Sequence, residues 1–237
     1  MMNRMQSLFK HDDFFRLYIL PLLIIWLIAF LFLLTNGYQN SFLILNSHFV
    51  VWLDYPMLLI TMLGDAGFLA ALLVFILIRK QPYQMSMLML TLIVSGIAAQ
   101  LFKNLVFSDW DRPPFIFSVH TVANYKLYHR SFPSGHSCTV AAVFTMLAYF
   151  RREHKIEIFI YSLLCLIIAY SRIYLGVHFL GDALAGLTLG ISISLLLLYF
   201  LPTYTFIIKP RIILLLEVTA VITAVIVLIG FFNKYLY

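Results

Sequence analysis

The chain has 237 residues, of which 63% are hydrophobic and 11% are charged, and its mean hydropathy is +0.97. An ordinary soluble domain is about half apolar and about a quarter charged, so this composition excludes that class and indicates an integral membrane protein. The net charge of +6 does not indicate a nucleic-acid partner, because the basic residues form no stripe interleaved with exposed aromatic residues.

Apolar runs predict the membrane helices in chain order. A helix needs about 20 apolar residues to cross roughly 30 Å of hydrocarbon, and about seven runs approach that length. They lie near residues 17–34, 57–78, 85–107, 134–150, 156–175, 178–201 and 212–232. The pattern predicts an all-α, polytopic transmembrane helical bundle. We interpret residues 1–237 as one integral membrane domain, with a core at about 17–201 and an accessory C-terminal helix at about 212–232.

The basic residues predict the orientation. With the N-terminus in the cytoplasm, the connections on the inside contain most of the lysines and arginines, which satisfies the positive-inside rule. These inside residues are Arg4, Lys10, Arg16, Arg79, Lys80, Arg151, Arg152, Lys155, Lys209 and Arg211. We expect a bacterial cytoplasmic (inner) membrane protein. The remaining basic residues lie mostly in or beside two outside connections, where they mark a site facing the periplasm or exterior.

Three polar stretches meet at that outer side. KNLVFSDWDRPP (103–114) ends the third run, SFPSGHS (131–137) opens the fourth, and SRIYLGVHFLGD (171–182) joins the fifth to the sixth. Ionisable groups are expensive near a bilayer and are functional candidates by default. Among their residues are three cations (Lys103, Arg112 and Arg172), two histidines (His136 and His178) and the carboxylate of Asp182, beside a helix start. This inventory suits phosphate.

The cations and the helix start favour an anion. Arg112 and Arg172 present planar donor forks to phosphate oxygens, and Lys103 adds a compact charge. Such groups stabilise the charge that develops during phosphoryl transfer. Ser134 and Gly135 occupy the predicted N-terminus of the fourth span, where unpaired backbone N–H groups and the helix dipole favour an anion.

Two histidines and an aspartate are candidates for the chemistry. His178 and Asp182 are spaced i, i+4 on the sixth span, so the carboxylate can accept a hydrogen bond from one ring nitrogen and fix the tautomer. The other nitrogen is then free to attack phosphorus. His136 remains as a general acid for the leaving group.

These stretches resemble the motifs of the type 2 phosphatidic acid phosphatase superfamily, which read K-x6-R-P, P-S-G-H and S-R-x5-H-x3-D. Residues 133–136 match the second motif, and Ser171, Arg172, His178 and Asp182 match the third at its full spacing. The resemblance implies a six-helix core and metal-independent removal of phosphate from a lipid, through a phosphohistidine on His178 that water hydrolyses.

The resemblance also implies residue roles. His136 is the general acid and Asp182 orients His178. The phosphate-binding residues are Lys103, Arg112, Ser134, Gly135 and Arg172. No cofactor or metal is implied, and the expected partners are the lipid phosphate and the bilayer. The oligomeric state stays open.

The first motif departs from the family pattern, because eight residues separate Lys103 from Arg112 where the pattern has six. At about 100° per residue, a spacing of nine places two side chains on opposite faces of a helix. The helix must therefore end between them. Ser108, Asp109 and the prolines at 113 and 114 favour such an end.

Several alternatives stay open. The substrate can be undecaprenyl diphosphate, phosphatidylglycerol phosphate, phosphatidic acid or lipid A phosphate. A lipid-to-lipid phosphotransferase would use the same site, and a non-enzymatic membrane lipid transporter is an alternative hypothesis from a different class. The resemblance extends to vanadium haloperoxidases, but that family is soluble. A zinc site at the histidines is disfavoured, because the nearby cations would repel the metal.

A few polar residues remain outside this scheme. Five residues before the fourth span are candidates for contact with a lipid head group, although a solvated or membrane-surface role is favoured: Tyr125, Lys126, Tyr128, His129 and Arg130. Asp65 and Glu217 lie in apolar runs, and the sequence suggests a partner for neither.

Overall fold

The computed structural model describes residues 12–122, 129–201 and 210–236. Throughout these ranges the regular structure is helical, and the described residues form no β-strand. The predicted all-α class is therefore confirmed.

Nine helices of eight or more residues lie in the described ranges, and we label them in chain order. They are α1 (Phe15–Asn36), α2 (Tyr38–Ser47), α3 (Asp54–Thr61), α4 (Ala66–Leu77), α5 (Pro82–Val106), α6 (Gly135–Phe150), α7 (Lys155–Tyr174), α8 (Leu180–Phe200) and α9 (Pro210–Leu236). Short helical turns lie at Asp12–Phe14, Val51–Leu53, Met62–Gly64 and Pro113–Ile116.

Five helices of the described chain, α1, α5, α7, α8 and α9, are long and apolar enough to cross a membrane. A sixth span results if α2 and the segment Val51–Gly64 count as one span, which is bent by 98°. Helices α4 and α6 are apolar but shorter, with 12 and 16 residues. Many large apolar side chains on the long helices are exposed, as a surface in contact with lipid requires. The chain is an integral membrane protein.

The second predicted span, residues 57–78, is not one helix. The chain leaves helical geometry at Asp65, whose backbone is extended, with φ −75° and ψ 123°. Its side chain accepts a hydrogen bond from the backbone N–H of Phe68 and so caps the start of α4. The expectation of an uninterrupted span was wrong here because a local N-cap competes with continuation of the helix.

Helix α6 is the centre of the bundle and packs against α5, α7 and α8. Its residues from Ser137 to Met146 are all buried. The most extensive contact is with α8, where Gly186 and Gly190 face the α6 backbone. This small-xxx-small spacing lets two helices approach closely within a membrane.

Substituting Gly190 with Ala should destabilise the protein. A Cβ atom at this position would lie 2.3 Å from the carbonyl oxygen of Cys138 and 2.7 Å from the backbone nitrogen of Ala142, so the helices must move apart. Overpacking of this kind costs about 1–3 kcal/mol. We expect a lower unfolding temperature in detergent. Gly96→Ala is the matched control, because a Cβ there meets no atom within 4 Å. Equal unfolding temperatures for the two variants would contradict the close packing.

Helix α9 packs mainly on α4 and runs antiparallel to it. Near the end of α4, the guanidinium of Arg79 donates to both carboxylate oxygens of Glu217, with an Nη2 to Oε2 distance of 2.6 Å. Near the start of α4, Gly67 lies against Val227 and Thr223. The structure thus supplies the partner of Glu217 that the sequence did not suggest.

Candidate active site

One end of the bundle contains a cavity of about 420 Å³. Its lining residues are Thr61, Met62, Asp65, Gln100, Lys103, Arg112, Gly135, His136, Arg172, His178, Val227, Gly230 and Phe231. Six of the eight predicted site residues are therefore in the lining. The other two, Ser134 and Asp182, are fully buried and do not line it.

The tautomer of His178 follows from its two partners. Its Nδ1 lies 3.1 Å from Oδ2 of Asp182, and its Nε2 lies 3.2 Å from Nη1 of Arg112. A carboxylate can only accept a hydrogen bond and a guanidinium can only donate one. Nδ1 therefore carries the proton, and Nε2 presents a lone pair towards Arg112.

The charge state of His178 follows from its surroundings. The residue lies in the connection between α7 and α8 and is 2% exposed. Burial lowers the pKa of His178 well below its ordinary value, and the positive charge of Arg112 lowers it further. The imidazole is therefore neutral at physiological pH, the form in which Nε2 is a nucleophile.

Asp182 accepts hydrogen bonds from several groups. Besides His178, the hydroxyl of Ser131 donates to Oδ2 at 2.5 Å, and the backbone N–H of Phe179 donates to Oδ2 at 2.9 Å. The hydroxyl of Tyr38 donates to the other oxygen, Oδ1. The carboxylate is thus fixed on both sides, and it fixes the imidazole in turn.

Sequence reasoning missed two of these partners. Tyr38 begins α2, far from every motif, and no local signal marks it. Ser131 lies inside the SFPSGHS stretch, so its proximity to the P-S-G-H motif was a usable signal.

Arg172 carries an unpaired donor. It is 3% exposed, and its Nη1 donates to the hydroxyl of Thr61 at 2.8 Å. Its Nε is buried and has no hydrogen-bond partner among the described residues. A buried N–H without an acceptor is costly, so a guanidinium in this state at a cavity wall favours an anion as its partner.

Lys103 and Arg112 reach the same cavity from different segments. Helix α5 ends at Val106, as the spacing of the first motif predicted, and the chain then turns back towards the bundle. Lys103 donates to the carbonyl of Arg130 at 2.8 Å, and Arg112 donates to the carbonyls of His129 and Val177, each at 3.1 Å. Both cations are buried and held by backbone oxygens.

Ser134 is the N-cap of α6. Its hydroxyl oxygen accepts from the backbone N–H of Ser137 at 3.4 Å and lies 3.0 Å from the Ser137 hydroxyl. The side chain therefore serves the helix start, while Gly135 and His136 face the cavity. A Cβ on Gly64 would lie 2.8 Å from Cδ2 of His136, so the absence of a side chain at Gly64 makes room for that ring.

The charges of the cavity wall favour an anion. Three cations line it against one carboxylate, Asp65, whose oxygen already accepts from Phe68. The described residues contain no group of three or more His, Cys, Asp or Glu side chains placed to hold a metal ion. The arrangement combines a neutral histidine, a second histidine and a cationic wall. These are the kinds of group that phosphoryl transfer requires.

Tyr125, Lys126 and Tyr128 of the candidate head-group contact lie outside the described residues. Of the two that are described, His129 lies with Nδ1 2.5 Å from a carboxylate oxygen of Asp111. The carbonyls of His129 and Arg130 accept from the cations of the site. The backbone of this segment therefore supports the cavity.

The fold and the cavity together define a class, a polytopic helical membrane enzyme built around a buried His–Asp pair and an anion site. Residues 84–206, which are 123 of the 237, match the PAP2 superfamily. The chain belongs to the PAP2 superfamily and is a membrane phosphatase.

Known proteins of this family are similar in sequence and structure. Phosphatidylglycerophosphatase B of Bacillus subtilis (strain 168) is 36% identical over 162 residues, covering 63% of this chain and 73% of that protein. Lipid A 4'-phosphatase of Porphyromonas gingivalis is 29% identical over 164 residues, covering 66% and 69%. The crystal structure of LpxE from Aquifex aeolicus superposes with a TM-score of 0.61 at 26% identity, covering 67% of this chain and 93% of that one.

Proposed function

We propose that the chain removes phosphate from a lipid monophosphate or diphosphate through a phosphohistidine on His178, without a metal ion or cofactor. One observation carries this proposal. The lone pair of Nε2 on His178 faces Arg112 at 3.2 Å, while Asp182 holds the proton on Nδ1. A nucleophile is thus oriented towards the cations that would bind the phosphate.

Substrate binding begins with the phosphate oxygens. In this proposal they accept from the unpaired Nε–H of Arg172 and from Arg112 and Lys103, which line the same cavity. Gly135 is the first residue of α6, and the backbone N–H groups there lack intrahelical partners and can donate to the phosphate. These donors neutralise the negative charge that would otherwise repel an attacking lone pair.

In the first step, Nε2 of His178 attacks phosphorus. A P–N bond forms, the bond between phosphorus and the lipid oxygen breaks, and His136 donates a proton to that oxygen. The positive charge that develops on the imidazole of His178 is stabilised by the carboxylate of Asp182.

In the second step, water attacks the phosphohistidine. His136, which is now neutral, accepts a proton from the water. A P–O bond forms, the P–N bond breaks, and its electron pair returns to Nε2. Inorganic phosphate leaves, and both histidines regain their starting states.

The substrate class in this proposal comes from the setting and the relatives. A cationic cavity at one end of a membrane bundle suits a phosphate at the height of the head groups. The names of the relatives include a phosphatidylglycerophosphatase and a lipid A phosphatase. Phosphatidylglycerol phosphate, phosphatidic acid, undecaprenyl diphosphate and lipid A phosphate are the four candidates.

We further propose that the site faces the periplasm or exterior of a bacterial cytoplasmic membrane. The excess of basic residues at the opposite end of the bundle supports this orientation. A membrane-impermeant thiol reagent should label Ser108→Cys in intact cells and should leave Lys80→Cys unlabelled. Both positions are exposed, and they lie towards opposite ends of the bundle. The reverse labelling pattern would contradict the proposal.

Purified protein in detergent should release inorganic phosphate from at least one of the four lipids. Excess EDTA should change the rate by less than about twofold, because no step uses a metal ion. Loss of activity in EDTA that Zn²⁺ or Mg²⁺ restores would contradict the metal-independent mechanism. Transfer to a second lipid would instead produce a phosphorylated acceptor without free phosphate.

A further inference from the structure

Helix α9 contributes to the wall of the catalytic cavity, although it lies beyond the residues that match the family. The match ends at residue 206, and α9 spans Pro210–Leu236. Three of its residues, Val227, Gly230 and Phe231, line the cavity together with His136 and His178. From the sequence this helix was only an accessory span.

The position of α9 is fixed by contacts along its length. Glu217 is paired with Arg79 at one end. In the middle of the helix, Ala220 packs in an apolar cluster with Ala71 and Val74 of α4. Phe231 packs against the apolar cluster of Leu58, Tyr174, Leu175 and Val177, which adjoins the catalytic segment. Contacts along α9 therefore hold its cavity-lining residues in place.

The lining of the cavity combines two chemistries. Lys103, Arg112 and Arg172 supply positive charge, whereas Val227 and Phe231 add apolar surface from α9. A lipid phosphate has the same combination, because its charged group is followed at once by carbon atoms. Inorganic phosphate or a small soluble ester needs only the cations.

Gly230 leaves space in this wall. A Cβ atom there would meet no heavy atom within 4 Å, so a side chain would enter open volume instead of displacing the protein. A larger residue at this position would narrow the cavity beside the phosphate site without disturbing the packing of α9.

We propose that α9 forms the surface against which the carbons next to the lipid phosphate bind, and that Gly230 determines which lipids fit. This inference rests on the proposed lipid phosphatase function. It makes α9 a specificity element, whereas the chemistry belongs to α6 and the α7–α8 connection.

The first test compares two variants of α9. Gly230→Leu should reduce the ratio of kcat/KM for dioctanoyl phosphatidic acid to kcat/KM for p-nitrophenyl phosphate by about tenfold or more, the scale of discrimination by apolar pockets. Ile229→Phe is the control, because Ile229 is 55% exposed on the other face of the helix at the same depth. It should leave the ratio unchanged. An unchanged ratio in Gly230→Leu would overturn the inference.

The second test does not depend on turnover. Gly230→Cys is combined with His178→Ala, and the rate of maleimide labelling is measured with dioctanoyl phosphatidic acid or with dioctanoylglycerol. Cys138 and Cys165 are 1% and 0% exposed, so the background is low. Phosphatidic acid at about ten times its Kd should slow labelling about tenfold. Equal rates with the two lipids would overturn the inference.

The two tests separate this inference from the proposed function. Protection of Gly230→Cys by phosphatidic acid, in a protein whose wild type releases no phosphate, would support the α9 wall and reject the phosphatase mechanism. Phosphate release by the wild type, with an unchanged ratio in Gly230→Leu and no protection of Gly230→Cys, would support the phosphatase function and reject the α9 wall.

Discussion

His178→Ala should reduce phosphate release by at least about 10⁴-fold, because the variant lacks the atom proposed to form the bond to phosphorus. The neighbouring cations and His136 remain in place, so the substrate should still bind. We therefore expect the loss in kcat, with KM much less affected. The measurement is phosphate release from the best substrate among the four candidate lipids, at substrate concentrations that span KM.

His154→Ala is the matched control for this substitution. His154 lies before α7, at the opposite end of the bundle, and its side chain is 53% exposed. This variant should retain wild-type turnover. In addition, wild-type protein that is quenched during turnover with a radiolabelled lipid should carry an acid-labile phosphoryl group, and His178→Ala should not. Substantial turnover by His178→Ala would eliminate the proposed nucleophile.

Asp182→Asn should reduce kcat by about 10³- to 10⁴-fold, the scale seen when a triad aspartate is replaced by asparagine. The two carboxylate oxygens accept from Tyr38, Ser131, Phe179 and His178. An asparagine has only one acceptor oxygen, and its NH₂ group would face a donor. If the NH₂ group faces Nδ1 of His178, it favours the other tautomer of the imidazole, in which the proton is on Nε2.

A readout at the histidine itself separates this role from a general loss of stability. Nitrogen NMR of labelled His178 should show the proton on Nδ1 in the wild type and a shift towards Nε2 in Asp182→Asn. Tyr38→Phe is the graded comparison, because it removes one charge-assisted hydrogen bond and leaves the bond from His178 intact. We expect a loss of about tenfold in that variant. An unchanged tautomer in Asp182→Asn, together with full activity, would reject the positioning role.

The membrane helices were largely predictable, because an apolar environment requires long apolar runs and each run is visible locally. The exception was the region around Asp65. There one polar residue after a glycine redirects the chain, and a local cap outweighed the apolar character of the surrounding sequence. The length of an apolar run does not reveal such a break.

The grouping of the predicted site residues around one cavity was predictable, because the motif residues lie at fixed spacings near helix ends. The spacing of four residues brings His178 and Asp182 together, although His178 lies in the connection before α8 and not on the sixth helix as predicted. The supporting residues were not predictable in this way. Tyr38 and Thr61 reach the site across more than a hundred residues of sequence, and the α9 wall depends on how α9 packs against α4. Those contacts follow from three-dimensional packing, which one sequence does not encode locally.

The junction between the starts of α6 and α8 has a consequence for how this enzyme can change over evolutionary time. The backbone N–H of Ser134 donates to the carbonyl of Asp182 at 3.0 Å, and Gly186 leaves no gap against the carbonyl of Ser134. His136 and His178, the proposed proton donor and nucleophile, are therefore held by helices that pack rigidly on each other, whereas α9 packs on α4 as a separate pair of helices. With the proposed role of α9, substitutions in this helix alter the range of lipids accepted while the reactive groups keep their spacing. New substrate preferences could then arise by substitution in one peripheral helix, without passing through inactive ancestors.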